Sequence, residues 1–125
     1  MAKRRLRVLI VESDAALGRV WQRHLERHGM FVRLEHDQQG ALDALSETRC
    51  DVVVLNLILT RSSAFAIADA AEARFPGVPI LFVSSTSFFA DGSVFGLCAN
   101  ARAFVSADTP PDDLTAMVEH YARSG

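Results

Sequence analysis

Cysteine is scarce: Cys50 and Cys98 are the only two in 125 residues. That is too few for a disulfide framework or a zinc cage, and both sit in apolar segments, so they read as free thiols of an intracellular protein. No apolar run approaches the roughly 20 residues of a membrane span. The basic start, MAKRRLR, leads directly into VLIV, without the longer apolar stretch and small-residue cleavage site of a signal peptide. A cytoplasmic location is the expectation. Charge of one sign is lacking as well. Thirteen basic residues face fifteen acidic ones, for a net −2, which gives no general pull on nucleic acid or membrane. There is no internal repeat, no low-complexity tract, no linker, no glycine-rich phosphate loop and no helix-turn-helix. What remains is a chain of single-domain length, half of it apolar, long enough to build a core without staples.

That apolar content alternates with amphipathic stretches. The apolar runs are Leu6–Val11, Phe31–Leu34, Val52–Leu57, Ile80–Val83 and Ala103–Val105. Three are nearly continuous Val, Ile, Leu or Phe, the habit of parallel strands covered on both faces. Between them lie five helical patterns. Asp14 caps the first, with Leu17, Val20, Trp21, His24 and Leu25 on one stripe and Gly29 as the stop. Asp37 caps the second, which carries Ala41, Leu42 and Leu45. The third, about Ala64 to Phe75, stops before Pro76. A fourth, around Phe88 to Cys98, is interrupted by Gly92 and Gly96. The fifth has Thr109 as cap, Pro110 and Pro111 at the entry, Asp112 and Asp113 in the first turn, then Leu114, Met117, Val118 and Tyr121.

The string is (βα)5. It predicts an α/β, flavodoxin-like, doubly wound five-stranded parallel sheet forming one domain over residues 1–125. In such sheets the working end is the carboxyl edge of the strands, where strand order reverses. The residues to inspect are Val11–Asp14, Leu55–Thr60, Val83–Ser87 and Val105–Asp108.

Those segments carry a resemblance. VLIVESDAAL is similar to the first strand and acidic turn of the receiver domain of two-component response regulators, the chemotaxis-type receiver. DVVVLNLIL resembles the third strand, which bears that family's phosphoacceptor. VPILFVSS resembles the fourth strand with its switch hydroxyl, and ARAFVSADTPPDDL the fifth strand and entry to the last helix. The likeness covers essentially the full chain. It implies transfer of a phosphoryl group to an Asp, with two acids holding Mg²⁺ and a hydroxyl and a Lys on the phosphoryl oxygens.

Residue by residue, this chain departs from that pattern. The nucleophile position holds Asn56, a neutral amide that forms no acyl phosphate. Glu12 fills the first acidic position; Ser13 falls at the second, with Asp14 following. The switch positions hold Ser84 and Phe104, the Lys position Ala107, and the Pro ending the third-strand motif is Thr60. Losing Asp and Lys together is consistent, since a Lys left without its buried partner costs on the order of 3–5 kcal/mol. A cation would have Glu12, Asp14, the Asn56 amide and the Ile58 backbone carbonyl, so Mg²⁺ binding is expected to be weak or absent.

Other features have plainer readings. Asp14 reads as a helix cap, while Glu12 is open between ligand and surface acid. Ser84, Ser85, Thr86 and Ser87 read as a loop and cap, His24 and His28 as a solvated helix end, and Trp21 as partly buried. Phe88, Phe89, Val94, Phe95 and Leu97 read equally as plain core or as a partner surface.

The expectation is a degenerate receiver, or pseudo-receiver, not an enzyme. It would act in phosphorelay signalling through protein–protein contact with a sensor kinase or output protein. A homodimer through the fourth-helix, fifth-strand and fifth-helix face fits the resemblance, with no direct nucleic-acid or membrane binding. With no output domain after residue 125 in the sequence as given, its effect is expected to pass to another chain, unless this is a fragment of a longer protein. The alternatives are a phosphoryl acceptor using Asp14, Asp51 or Ser84, a receiver fragment of a longer DNA-binding regulator, and a small-ligand sensor over Asn56 and Ser84.

Overall fold

The structure is a computed structural model that describes residues 5–84 and 101–124. The expected fourth helix with its aromatics and Cys98, the hydroxyls after Ser84, and the fourth-helix part of the homodimer face lie outside those residues.

Five strands form one parallel sheet: β1 (Arg7–Val11), β2 (Phe31–Glu35), β3 (Val52–Asn56), then, after a short hairpin of β4 (Ile58–Leu59) and β5 (Ser62–Ser63), β6 (Ile80–Ser84) and β7 (Ala101–Ser106). The helices are α1 (Ala15–Arg27), α2 (Gln38–Glu47), α3 (Ala64–Arg74) and α4 (Pro111–Ser124). The sheet order is β2-β1-β3-β6-β7, parallel throughout. Chain order reverses at β1 and β3, so this is the doubly wound sheet with its crevice between those two strands.

Alternation along each strand sorts the core into two layers. Leu9, Val11, Val53, Leu55, Ile80 and Phe82 face Ala41, Leu45, Ile67 and Ala71 of α2 and α3. Val8, Ile10, Val52, Val54, Leu81 and Val83 face Trp21, Leu25, Leu114 and Val118 of α1 and α4. The three central strands β1, β3 and β6 are apolar at consecutive positions because both of their faces are covered.

Several local expectations need correction. Trp21 is fully buried, because α1 lays its indole on the sheet, while Val20 turns outward at 51 % exposure. One residue is 100° of helix, which separates their fates. His24 is not a solvated end: its Nε2 lies 2.7 Å from Asp112 Oδ1 and ties α1 to α4. The last helix opens one residue later than expected. The amides of Asp113 and Leu114 donate to the Pro110 carbonyl, so Pro110 occupies the cap position assigned to Thr109. Strand β3 ends at Asn56, and the β4–β5 hairpin was not foreseen; its turn holds Arg61 at φ +53°, a left-handed conformation uncommon outside glycine.

Two glycines position the site. Gly29 takes φ +83° and ends α1 as expected. Gly18 lets α1 approach β2: a Cβ there would stand 2.7 Å from Leu34 Cδ1 and 3.4 Å from Glu12 Cβ.

Candidate functional site

The crevice collects the residues that end β1, β3 and β6. Register sets Asn56 opposite Val83 and Ser84 opposite Ser106, while Val11, beside Glu12, pairs with Leu55, beside Asn56. Glu12 is buried at 3 % exposure, and so is Ser84 at 2 %. Burying a carboxylate is costly unless its oxygens are bonded, and both oxygens of Glu12 are. Oε1 accepts from Asn56 Nδ2 at 2.7 Å, and Oε2 accepts from the Asp14 amide at 3.1 Å.

Asn56 is suited to this place by having two unlike ends. Its Oδ1 accepts from the Ile58 amide at 2.8 Å while its amide nitrogen donates to Glu12. An aspartate would still accept from Ile58 but would set a second carboxylate against the first.

The side chains of Asp14 and Ser13 are committed to the backbone. Asp14 caps α1, its Oδ1 accepting from Ala16 and Leu17 amides at 3.0 and 3.2 Å. Ser13 Oγ accepts from the Thr60 amide at 2.9 Å and donates to the His36 carbonyl at 3.3 Å. His36 Nδ1 lies 3.0 Å from the Glu12 carbonyl. On the far side, the Ala107 amide donates to the Ser84 carbonyl at 2.9 Å, and the Ala107 methyl packs beside the α1–α4 layer. Phe104 is half-buried against the opposite layer, where β7 pairs it with Phe82. Ile58 projects its side chain outward at 60 % exposure.

These donors do not suit a hard divalent cation. Such an ion wants oxygens, several of them anionic. Here one carboxylate already has a hydrogen bond on each oxygen, the next is turned to helix amides, and Asn56 presents N–H to Glu12. Among the described residues no three of His, Cys, Asp and Glu gather at one point.

The alternative acceptors separate likewise. Asp51 precedes β3 at the opposite edge of the sheet, where its Oδ2 accepts from the Arg7 amide at 2.8 Å. Sequence reasoning singled out Glu12, Asn56, Ser84, Phe104 and Ala107, and the fold brings their segments to one edge. It missed the linking roles of Ser13, His36 and Thr60. Each is an ordinary loop residue in sequence; only the parallel sheet makes their loops neighbours.

Comparison with known proteins gives a consistent picture. The family model for the response regulator receiver domain matches residues 8–119. The chain is 26 % identical over 118 residues to response regulator MprA of Mycobacterium avium (strain 104), covering 94 % of this chain and 51 % of that protein. It is 23 % identical over 119 residues to transcriptional regulatory protein RprY of Bacteroides fragilis (strain YCH46), covering 95 % and 50 %. The chain thus spans about half the length of the curated relatives it matches. Among solved structures, a CheY-like response regulator receiver domain protein from Methanospirillum hungatei JF-1 aligns with a TM-score of 0.86 at 21 % identity, over 97 % of this chain and 96 % of that one. The non-phosphorylated HemR receiver domain from Leptospira biflexa aligns at 0.82 and 23 % identity, over 94 % of each. No helix among the described residues is long and apolar enough to cross a membrane.

Proposed function

The chain belongs to the response regulator receiver family, and from that membership we propose that it is a receiver whose site has left aspartyl phosphorylation and works by binding other proteins in a phosphorelay. The observation that carries this reading is the 2.7 Å bond from Asn56 Nδ2 to Glu12. It sets a neutral N–H donor against Glu12 at the position where a phosphorylatable site carries a second carboxylate. Ala107 in the Lys position supports the same reading, because a methyl group cannot neutralise phosphoryl oxygens. The module is then not an enzyme, binds Mg²⁺ weakly or not at all, and resides in the cytoplasm. Its partner is a sensor kinase or an output protein, and a second copy through the β7–α4 side is a further candidate. Nucleic acid and membrane are not direct partners.

The test is intact mass after incubation with acetyl phosphate and Mg²⁺, with the Asn56→Asp, Ala107→Lys double variant alongside. No added phosphoryl mass on the native chain, with labelling of the variant, supports the proposal. Labelling of the native chain overturns it, and peptide mapping would identify the acceptor.

A second reading has its own support. Relatives twice as long, one of them named a transcriptional regulatory protein, together with the DTPPDDL entry to α4, favour a receiver serving a DNA-binding regulator. In that case the same contacts would act on an output domain.

A further inference from the structure

The opposite edge of the sheet holds a cavity of about 410 Å³, within the size range of small-molecule sites. It opens where β1 and β2 begin and α2 ends. Glu12 follows Arg7 by five residues of extended chain, which sets this cavity roughly 17 Å from the crevice.

Its lining is unbalanced in charge. Four arginines, Arg5, Arg7, Arg33 and Arg49, face a single acid, Glu26. Two of the four are neutralised within the chain. Arg33 donates to Glu35 at 2.8 Å and Glu47 at 2.7 Å, and Arg49 lies 3.6 Å from Asp51. Arg5 and Arg7 have no carboxylate against their guanidinium groups among the described residues. Both instead stand over the Phe31 ring, at 4.9 and 5.0 Å from its centroid. Sharing one ring holds the two charges no more than about 10 Å apart, near the screening length of physiological salt. The two guanidinium groups thus share one neighbourhood of positive charge, and arginine forks suit carboxylate and phosphate oxygens.

The rest of the lining is apolar. Met30, Val32 and Leu45 contribute to the wall, and Phe31 leaves 46 % of its surface open. A bare inorganic anion would use the arginines and leave that wall wet. A planar or aliphatic body carrying the anion would cover it.

We propose that the Arg5–Arg7–Phe31 cavity binds a small organic anion, a phosphate or carboxylate attached to an apolar body. This gives the domain a ligand site at the sheet edge opposite the crevice.

Phenyl phosphate is the probe, titrated into the ¹⁵N-labelled chain at about 0.15 M salt so that diffuse charge effects are screened. Inorganic phosphate and benzylammonium serve as comparison probes. Saturable shifts confined to residues around Arg5, Arg7, Met30 and Phe31 are expected. Affinity should fall by at least about tenfold in the Arg5→Ser, Arg7→Ser variant. It should be retained in Arg19→Ser, Arg23→Ser, which removes two exposed arginines of α1, and both variants should keep the native spectrum elsewhere. No saturable binding, equal binding of inorganic phosphate or benzylammonium, or unchanged affinity in the Arg5, Arg7 variant overturns the proposal.

Discussion

The Thr60 amide donates to the Ser13 hydroxyl at 2.9 Å, joining the loop after β1 to the loop after β3. In the resembled pattern these positions hold an acid and a proline. A proline has no N–H to give, so this cross-loop bond depends on position 60 departing from that pattern. Ser13→Ala should lower stability by about 1 kcal/mol, the ordinary worth of such a bond. Thr60→Pro should also destabilise. Because the two changes remove the same bond, the double variant should cost less than their sum, with a coupling of about 1 kcal/mol in a urea-unfolding cycle. Strict additivity would count against the bond's importance.

Asn56→Asp alone should destabilise the chain. It replaces a donor to Glu12 with a like charge in a buried place, a loss of about 2–3 kcal/mol. Millimolar Mg²⁺ should restore part of this loss in the variant and leave the native chain unchanged. Urea midpoints with Mg²⁺ and with a chelator give the comparison. A variant as stable as the native chain in chelator would mean that the amide bridge contributes little.

Asp14 acts on helix α1, so its role should be transferable to another capping side chain. Asp14→Ala should cost about 1 kcal/mol, and Asp14→Ser should recover most of it. Thermal melts of the two variants test this. Failure of serine to rescue would indicate that the carboxylate itself is needed.

Burial pushes the Cys50 thiol up from its ordinary value near 9 to about 12. Above pH 9 the unfolded chain releases this proton while the folded chain keeps it. The associated stability is therefore complete below pH 9 and is lost as pH climbs toward 12, by roughly 1.4 kcal/mol per unit from this group. In a Cys98→Ser background, iodoacetamide at pH 8 should label Cys50 only upon unfolding. Rapid labelling of the folded chain would contradict its burial.

The sequence by itself determined the alternation of strands and helices, and with it the sheet and its working edge. Runs such as Val52–Leu55 are apolar at every position because helices cover both faces, and that signature is local. Caps at Asp14 and Asp37 and the stop at Gly29 were legible for the same reason: each needs only its own few neighbours. The chemistry at positions 12, 56, 84, 104 and 107 was reached through resemblance, which supplies spacing across the whole chain.

Tertiary structure alone decided what those residues do to one another. That Asn56 reaches Glu12 is a fact about the pairing of β1 with β3, across 44 residues of sequence. That Ser13 serves Thr60 and His36, that His24 finds Asp112, and that Arg5 and Arg7 share Phe31 follow from strand order and register. Hydrophobic periodicity records which face of an element is buried. It carries no information about which polar groups meet when two loops are brought to the same edge of a sheet, because a donor is satisfied by geometry and not by sequence distance.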